Sequence, residues 1–115
     1  MIIIYGIKNC DSVRKARKIF KNFDVEYTFF DFKEDNISKK DIEYWISLGA
    51  TIDELFNKRG TTYRTLKLKE LNLEEDIDKI EWLAKENMLI KRPVIVNNNK
   101  ITVGYNQDKI LEIIK

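Results

Sequence analysis

Histidine is missing from this 115-residue chain, and cysteine occurs once, at Cys10. Without histidine, the commonest general base and the commonest metal ligand are both gone. Ser–His and Cys–His catalysis within the chain are excluded. A structural zinc site takes four Cys or His ligands, so no metal is expected. One cysteine cannot close an internal disulfide, and any disulfide at Cys10 joins it to another molecule. Small secreted proteins carry several cysteines, so a cytoplasmic protein is expected. With one proline and four glycines, no stretch has the composition of a linker. No apolar run approaches the roughly 20 residues of a membrane helix, and Ile2–Ile4 is too short for a signal peptide and has no basic leader. No membrane association is expected. The net charge is +2. Most basic residues alternate with acids, as on solvated helix faces. Direct nucleic-acid binding needs a broader positive excess, and none is expected.

The chain is organised around Tyr5-Gly6-Ile7-Lys8-Asn9-Cys10-Asp11-Ser12-Val13-Arg14-Lys15-Ala16. The apolar run Ile2–Tyr5 reads as a buried strand, and a helical pattern begins just after Cys10. A strand that turns directly into a helix sets its junction residue against unpaired N–H groups and the positive end of the helix dipole. Both favour a thiolate, the reactive form of cysteine. Lys8 and Arg14 act in the same direction and Asp11 opposes them. Ser12 is placed to donate a hydrogen bond to the sulfur, and Asn9 to cap the helix. A lone cysteine is otherwise a small buried hydrophobe; the corner position favours the reactive reading.

The length fits one compact domain, residues 1–115. The helix after Cys10 carries Val13, Ala16, Phe20 and Phe23 on one face. Residues 25–32 read as a second strand, completing a right-handed β-α-β unit. A helical segment follows, over about 37–87. Ser38 to Asp41 is a capping-box start, and Gly49 a C-terminal cap. Thr51 to Glu54 starts another helix in the same way, expected to end near Gly60. Residues 74–87 form an amphipathic helix with Ile77, Ile80, Leu83 and Ala84 inward. Pro93 precedes an apolar strand, Asn97–Lys100 is a turn, and Ile101–Val103 completes a hairpin. A last helix, 107–114, has Ile110, Leu111 and Ile114 as its buried side. The expected fold is α/β and thioredoxin-like, a four-stranded mixed sheet with an inserted helical segment.

Between Glu54 and Glu70 the chain has five basic residues, Lys58, Arg59, Arg64, Lys67 and Lys69, and no acid. This single-sign stretch is either a site for an oxyanion, carboxylate or phosphate, or a basic surface without a ligand.

Three motifs carry a family resemblance: Tyr5–Ala16, Leu55–Arg64, and Leu89–Ile95 followed by Val103-Gly104-Tyr105. Together they span the chain in order. The sequence resembles the arsenate reductase-like (ArsC/Spx) family, and within it the small YffB-type members. The resemblance implies a thioredoxin-like fold in which Pro93 is the cis-proline facing the active cysteine. It implies Cys10 as nucleophile and Arg92 as an oxyanion-binding arginine, with Arg59 in the segment that holds a second one. Lys8, Asn9 and Ser12, which flank the sulfur, are expected to bind substrate with these arginines. It implies no bound cofactor. Glutathione would serve as co-substrate, with glutaredoxin, on a small oxyanion or a mixed disulfide. Two positions depart from the family. Tyr105 stands where arsenate reductases have a further arginine. Val13 stands where Spx-type regulators have a second cysteine. The activity implied is that of a single-cysteine thiol-dependent reductase. The alternative is an Spx-like, non-catalytic regulator binding the RNA polymerase alpha subunit.

Overall fold

A computed structural model describes all residues, Met1–Lys115. In chain order the elements are β1 (Ile2–Gly6), α1 (Asp11–Asn22), β2 (Thr28–Asp31), α2 (Lys39–Ser47), α3 (Ile52–Leu55), α4 (Thr61–Thr65), α5 (Asp76–Lys85), β3 (Val94–Asn97), β4 (Lys100–Val103) and α6 (Gln107–Ile113). Short 3-10 turns cover Leu68–Leu71 and Asn87–Leu89. The residues group into two compact units: Met1–Asp35 with Arg92–Lys115, and Asn36–Lys91.

The first unit holds the sheet, in the order β2-β1-β3-β4. β1 runs parallel to β2, from Ile3 beside Thr28 to Gly6 beside Asp31. It runs antiparallel to β3, and β3 to β4. β-α-β, an inserted segment, then β-β-α is the thioredoxin-like plan. The core joins Ile4 and Ile95 of the two central strands to Ala16, Ile19 and Phe20 of α1 and Ile110 and Ile113 of α6. Each large aliphatic or aromatic side chain buried there contributes about 1.5–3 kcal/mol.

The details move several expected boundaries. β2 begins at Thr28 and not at 25. Asp24 adopts a left-handed φ of 54°, and Val25 N–H returns to Phe20 O (2.9 Å) while Asp24 N–H returns to Lys21 O (3.1 Å). This is the Schellman pattern, so Val25 closes α1 before any strand can start. Phe23, the helix cap, is 60% exposed, and Ile19 takes its expected place in the core. In α6 the buried pair is Ile110 and Ile113, while Leu111 and Ile114 are half-buried.

The second unit is helical. Both capping boxes form, Ser38 with Asp41 and Thr51 with Glu54. Gly49 follows α2 at φ 118°, where its N–H bonds Ile46 O and that of Ala50 bonds Trp45 O. α3 is a single turn and does not reach Gly60. Phe56 leaves the helix to bridge Ile90, and Asn57 N–H bonds Leu89 O (2.9 Å). The expected face of α5 is rotated: Ile77 is 56% exposed, and Lys79 and Leu83 are buried. Lys79 is 8% exposed and its Nζ reaches Asp53 (3.4 Å), in keeping with a long cationic side chain that buries its stem and keeps its head at a partner. No helix is long and apolar enough to cross a membrane.

Candidate functional site

The four strands bring several chain segments to one end of the sheet. The β1–β3 ladder closes at Tyr5 and Val94. The chain leaving β1 toward Cys10 and the chain reaching β3 through Arg92–Pro93 therefore emerge together. The Arg92–Pro93 peptide is cis, and Pro93 is buried. Gly104, just past β4, donates its N–H to Pro93 O (2.8 Å). Tyr105 follows, with Lys15 Nζ of α1 5.7 Å from its ring centroid.

Cys10 is the N-cap of α1, with extended backbone (φ −140°, ψ 124°). Its carbonyl accepts the first helical bond, from Arg14 N–H at 2.9 Å. The amides of Asp11, Ser12 and Val13 precede that bond and have no helical acceptor. The thiol is free, half-buried and makes no capping hydrogen bond. Cys10 thus stands at the N-terminal end of a 12-residue helix, where backbone N–H groups lack helical acceptors.

The flanking residues differ from expectation. Asn9 does not cap the helix, which starts one residue later; its Oδ1 accepts from Arg14 Nη1 (3.3 Å). The Arg14 guanidinium also pairs with Asp11, so its charge is engaged by a neighbouring acid and not by the sulfur. Ser12 is half-buried in the first turn and makes no hydrogen bond to Cys10. Residues two apart on a helix do not face each other. Lys8 is exposed, and Arg92 is half-buried. The fold thus collects Lys8, Asn9, Cys10, Ser12, Arg92 and Pro93 in the sheet-bearing unit. Arg59 belongs to the other unit, on the loop between α3 and α4, where it is exposed. Its N–H bonds Asn57 Oδ1 (3.2 Å) and its carbonyl accepts from Arg64 Nη1 (3.1 Å).

Gly6 is a site residue that sequence reading passed over. It is buried at the end of β1, and a Cβ there would lie 2.7 Å from Val13 Cγ2. Val13 is itself fully buried. The strand end and the first turn of α1 therefore approach too closely for any side chain. Gly6→Ala is expected to destabilise the protein by about 1–3 kcal/mol through overpacking. Adding Val13→Ala should recover part of that loss, a favourable coupling readable by denaturant unfolding of the four-member cycle. Strictly additive effects would contradict the contact. The signal available in the sequence was a glycine between an apolar strand and a helix start.

The ArsC family model matches residues 5–113. An uncharacterised protein of Haemophilus influenzae is 35% identical over 109 residues, covering 93% of each chain. The regulatory protein MgsR of Bacillus subtilis is 28% identical over 117 residues, covering 99% of this chain and 90% of its own. Among solved structures, the YffB protein superposes with a TM-score of 0.90 at 28% identity, covering 100% of both chains.

Proposed function

Because the chain belongs to the ArsC family, we propose that it is a thiol-dependent reductase of the arsenate reductase type with Cys10 as its nucleophile. The observation that carries this reading is a free, half-buried thiol at the N-cap of α1. Arg92, beside the cis-proline, and exposed Lys8 would supply positive charge for an oxyanion or for the carboxylates of glutathione. Arginine suits that task because its planar fork makes two parallel hydrogen bonds. Arg59 stands in the Asn36–Lys91 unit, and the reading asks nothing of it.

On arsenate, the Cys10 thiolate would attack arsenic. A sulfur–arsenic bond forms and an oxygen leaves as water. Two outside thiols then supply two electrons and are joined as a disulfide, while arsenite leaves and Cys10 returns as a thiol. On a mixed disulfide, Cys10 attacks one sulfur and expels the other as a thiolate. Glutathione then attacks the Cys10 disulfide and frees Cys10. Glutathione, alone or through glutaredoxin, is the proposed resolving thiol because the chain holds no second cysteine. No resident cofactor is required.

Native protein would be given arsenate or a glutathione mixed disulfide, with glutathione, glutaredoxin and glutathione reductase present. Protein-dependent oxidation of NADPH with either substrate is expected, along with one glutathione per chain by mass after treatment with oxidised glutathione. No turnover with either substrate overturns the reading. A second reading is a regulator that binds the RNA polymerase alpha subunit. It is favoured by the likeness to MgsR and by Tyr105 at the position of the arsenate reductase arginine. Retention of the alpha subunit by a protein that turns over neither substrate would select it.

A further inference from the structure

The basic stretch identified in the sequence folds within the Asn36–Lys91 unit. Lys58, Tyr63, Arg64, Lys67, Lys69 and Glu70 line an open concavity of about 590 Å³. No ion pair engages any of its four cations, since the unit's two salt bridges join Lys39 to Glu81 and Lys79 to Asp53. The segment that carries Lys67 and Lys69 is pinned. Leu68 between them is 1% exposed, and the 3-10 turn Leu68–Leu71 is bounded by left-handed residues, Lys67 at φ 54° and Asn72 at φ 47°. Two leucines of the same segment face outward, Leu66 at 39% and Leu71 at 53% exposure.

We propose that this concavity is a docking surface for an acidic, leucine-bearing segment of a partner protein. Its cations, none in an ion pair, call for carboxylates, and the exposed Leu66 and Leu71 of the same chain segment call for apolar side chains among them. Complementary charge of this kind steers association and selects the partner. A small oxyanion is a poorer match. Such ions are held by converging arginine forks and backbone amides, whereas three of the four cations are lysines arranged around an open hollow. Nucleic acid is a poorer match as well. Glu74, Glu75, Asp76 and Asp78 follow directly in the chain and would repel a continuous phosphate backbone. The surface is independent of Cys10 chemistry.

The probe is a fluorescein-labelled peptide of repeating Glu-Glu-Leu, followed by anisotropy against the native protein. Binding is expected at low salt, weakening as salt rises to about 0.15 M, where the Debye length is about 8 Å. The variant Lys58→Glu/Lys67→Glu/Lys69→Glu should bind about tenfold more weakly. The charge-matched variant Lys18→Glu/Lys21→Glu/Lys33→Glu should bind as the native protein does. Amide shifts in the native protein on adding peptide should fall on residues 58–71, which keeps the test sound even if the triple variant folds poorly. Cys10→Ser should bind the peptide unchanged, so failure here is separable from failure of the reductase reading. The proposal is overturned if the native protein binds no peptide, or if the two triple variants lose equal affinity. It is also overturned if oligothymidine or inorganic phosphate binds the concavity more tightly than the peptide.

Discussion

Cys10→Ser is expected to abolish turnover and, in the same protein, to raise stability. The loss follows from chemistry. Serine has no accessible anion at neutral pH, and with histidine absent from the chain nothing stands ready to take its proton. Removal of a sole nucleophile should lower kcat by at least about a thousandfold. The gain follows from geometry. Cys10 occupies the N-cap, where a hydroxyl can accept from the Val13 N–H, yet the thiol makes no capping bond. Serine is among the best N-cap residues, and such a cap is worth about 0.5–2 kcal/mol. A gain of about 1 kcal/mol by urea unfolding, with turnover lost, would show that α1 gives up stability to present sulfur at its end. If Cys10→Ser destabilises the fold, the sulfur is a packing group. If turnover persists, the nucleophile lies elsewhere.

Asn87→Ala is expected to cost about 3 kcal/mol and to loosen the Asn36–Lys91 unit. The residue is 6% exposed, and its amide is in full use. Oδ1 accepts from Ile37 N–H at 2.6 Å, while Nδ2 donates to the carbonyls of Ile37 (3.2 Å), Leu83 (2.9 Å) and Ala84 (3.3 Å). One side chain thereby holds the start of the unit against the end of α5. Truncation leaves buried donors and acceptors without partners, at about 1–3 kcal/mol for each group that stays dry. Asn87→Asp should cost at least as much, because a carboxylate would face three carbonyl oxygens. The readouts are the urea midpoint and faster amide exchange at Ile37. A loss below about 1 kcal/mol for Asn87→Ala would mean that water replaces the network.

What the sequence showed, and what it concealed, divides by range. Local signals were legible. The boxes at Ser38–Asp41 and Thr51–Glu54 form as expected, and Gly49 and Asn98 take the positive φ that their positions required. Strand order in time, β-α-β then β-β-α, sufficed for the topology. Cys10 at a strand-to-helix corner was readable because a continuous apolar run ends just before it and a helical period begins just after it. Features set by distant partners were not readable. Phe56 leaves α3 because Ile90, far along the chain, offers it a bridge. Lys79 is buried with its Nζ 3.4 Å from Asp53, 26 residues away in the chain, while Ile77 lies on the exposed side of α5. Asn87 resembles any polar residue near a helix end, since two of its four bonds, those with the Ile37 N–H and carbonyl, depend on Ile37 being brought to it. Residue preference favours Asn9 as the cap, but the helix begins where the backbone turns, at Cys10, whose side chain makes no capping bond.

The pairing of Ile2 with Asn97 and of Tyr5 with Val94 has a consequence for the order in which the molecule can be built. During synthesis α1 and β2 are available early, and the Asn36–Lys91 segment, rich in local contacts and capped helices, can settle on its own sequence-near interactions. The central strand then still lacks its antiparallel neighbour, and loops of that span close slowly. The surroundings of Cys10 are completed only when Arg92, Pro93 and Gly104 arrive. Until nearly the whole chain has been made, Cys10 follows a strand that lacks its antiparallel neighbour.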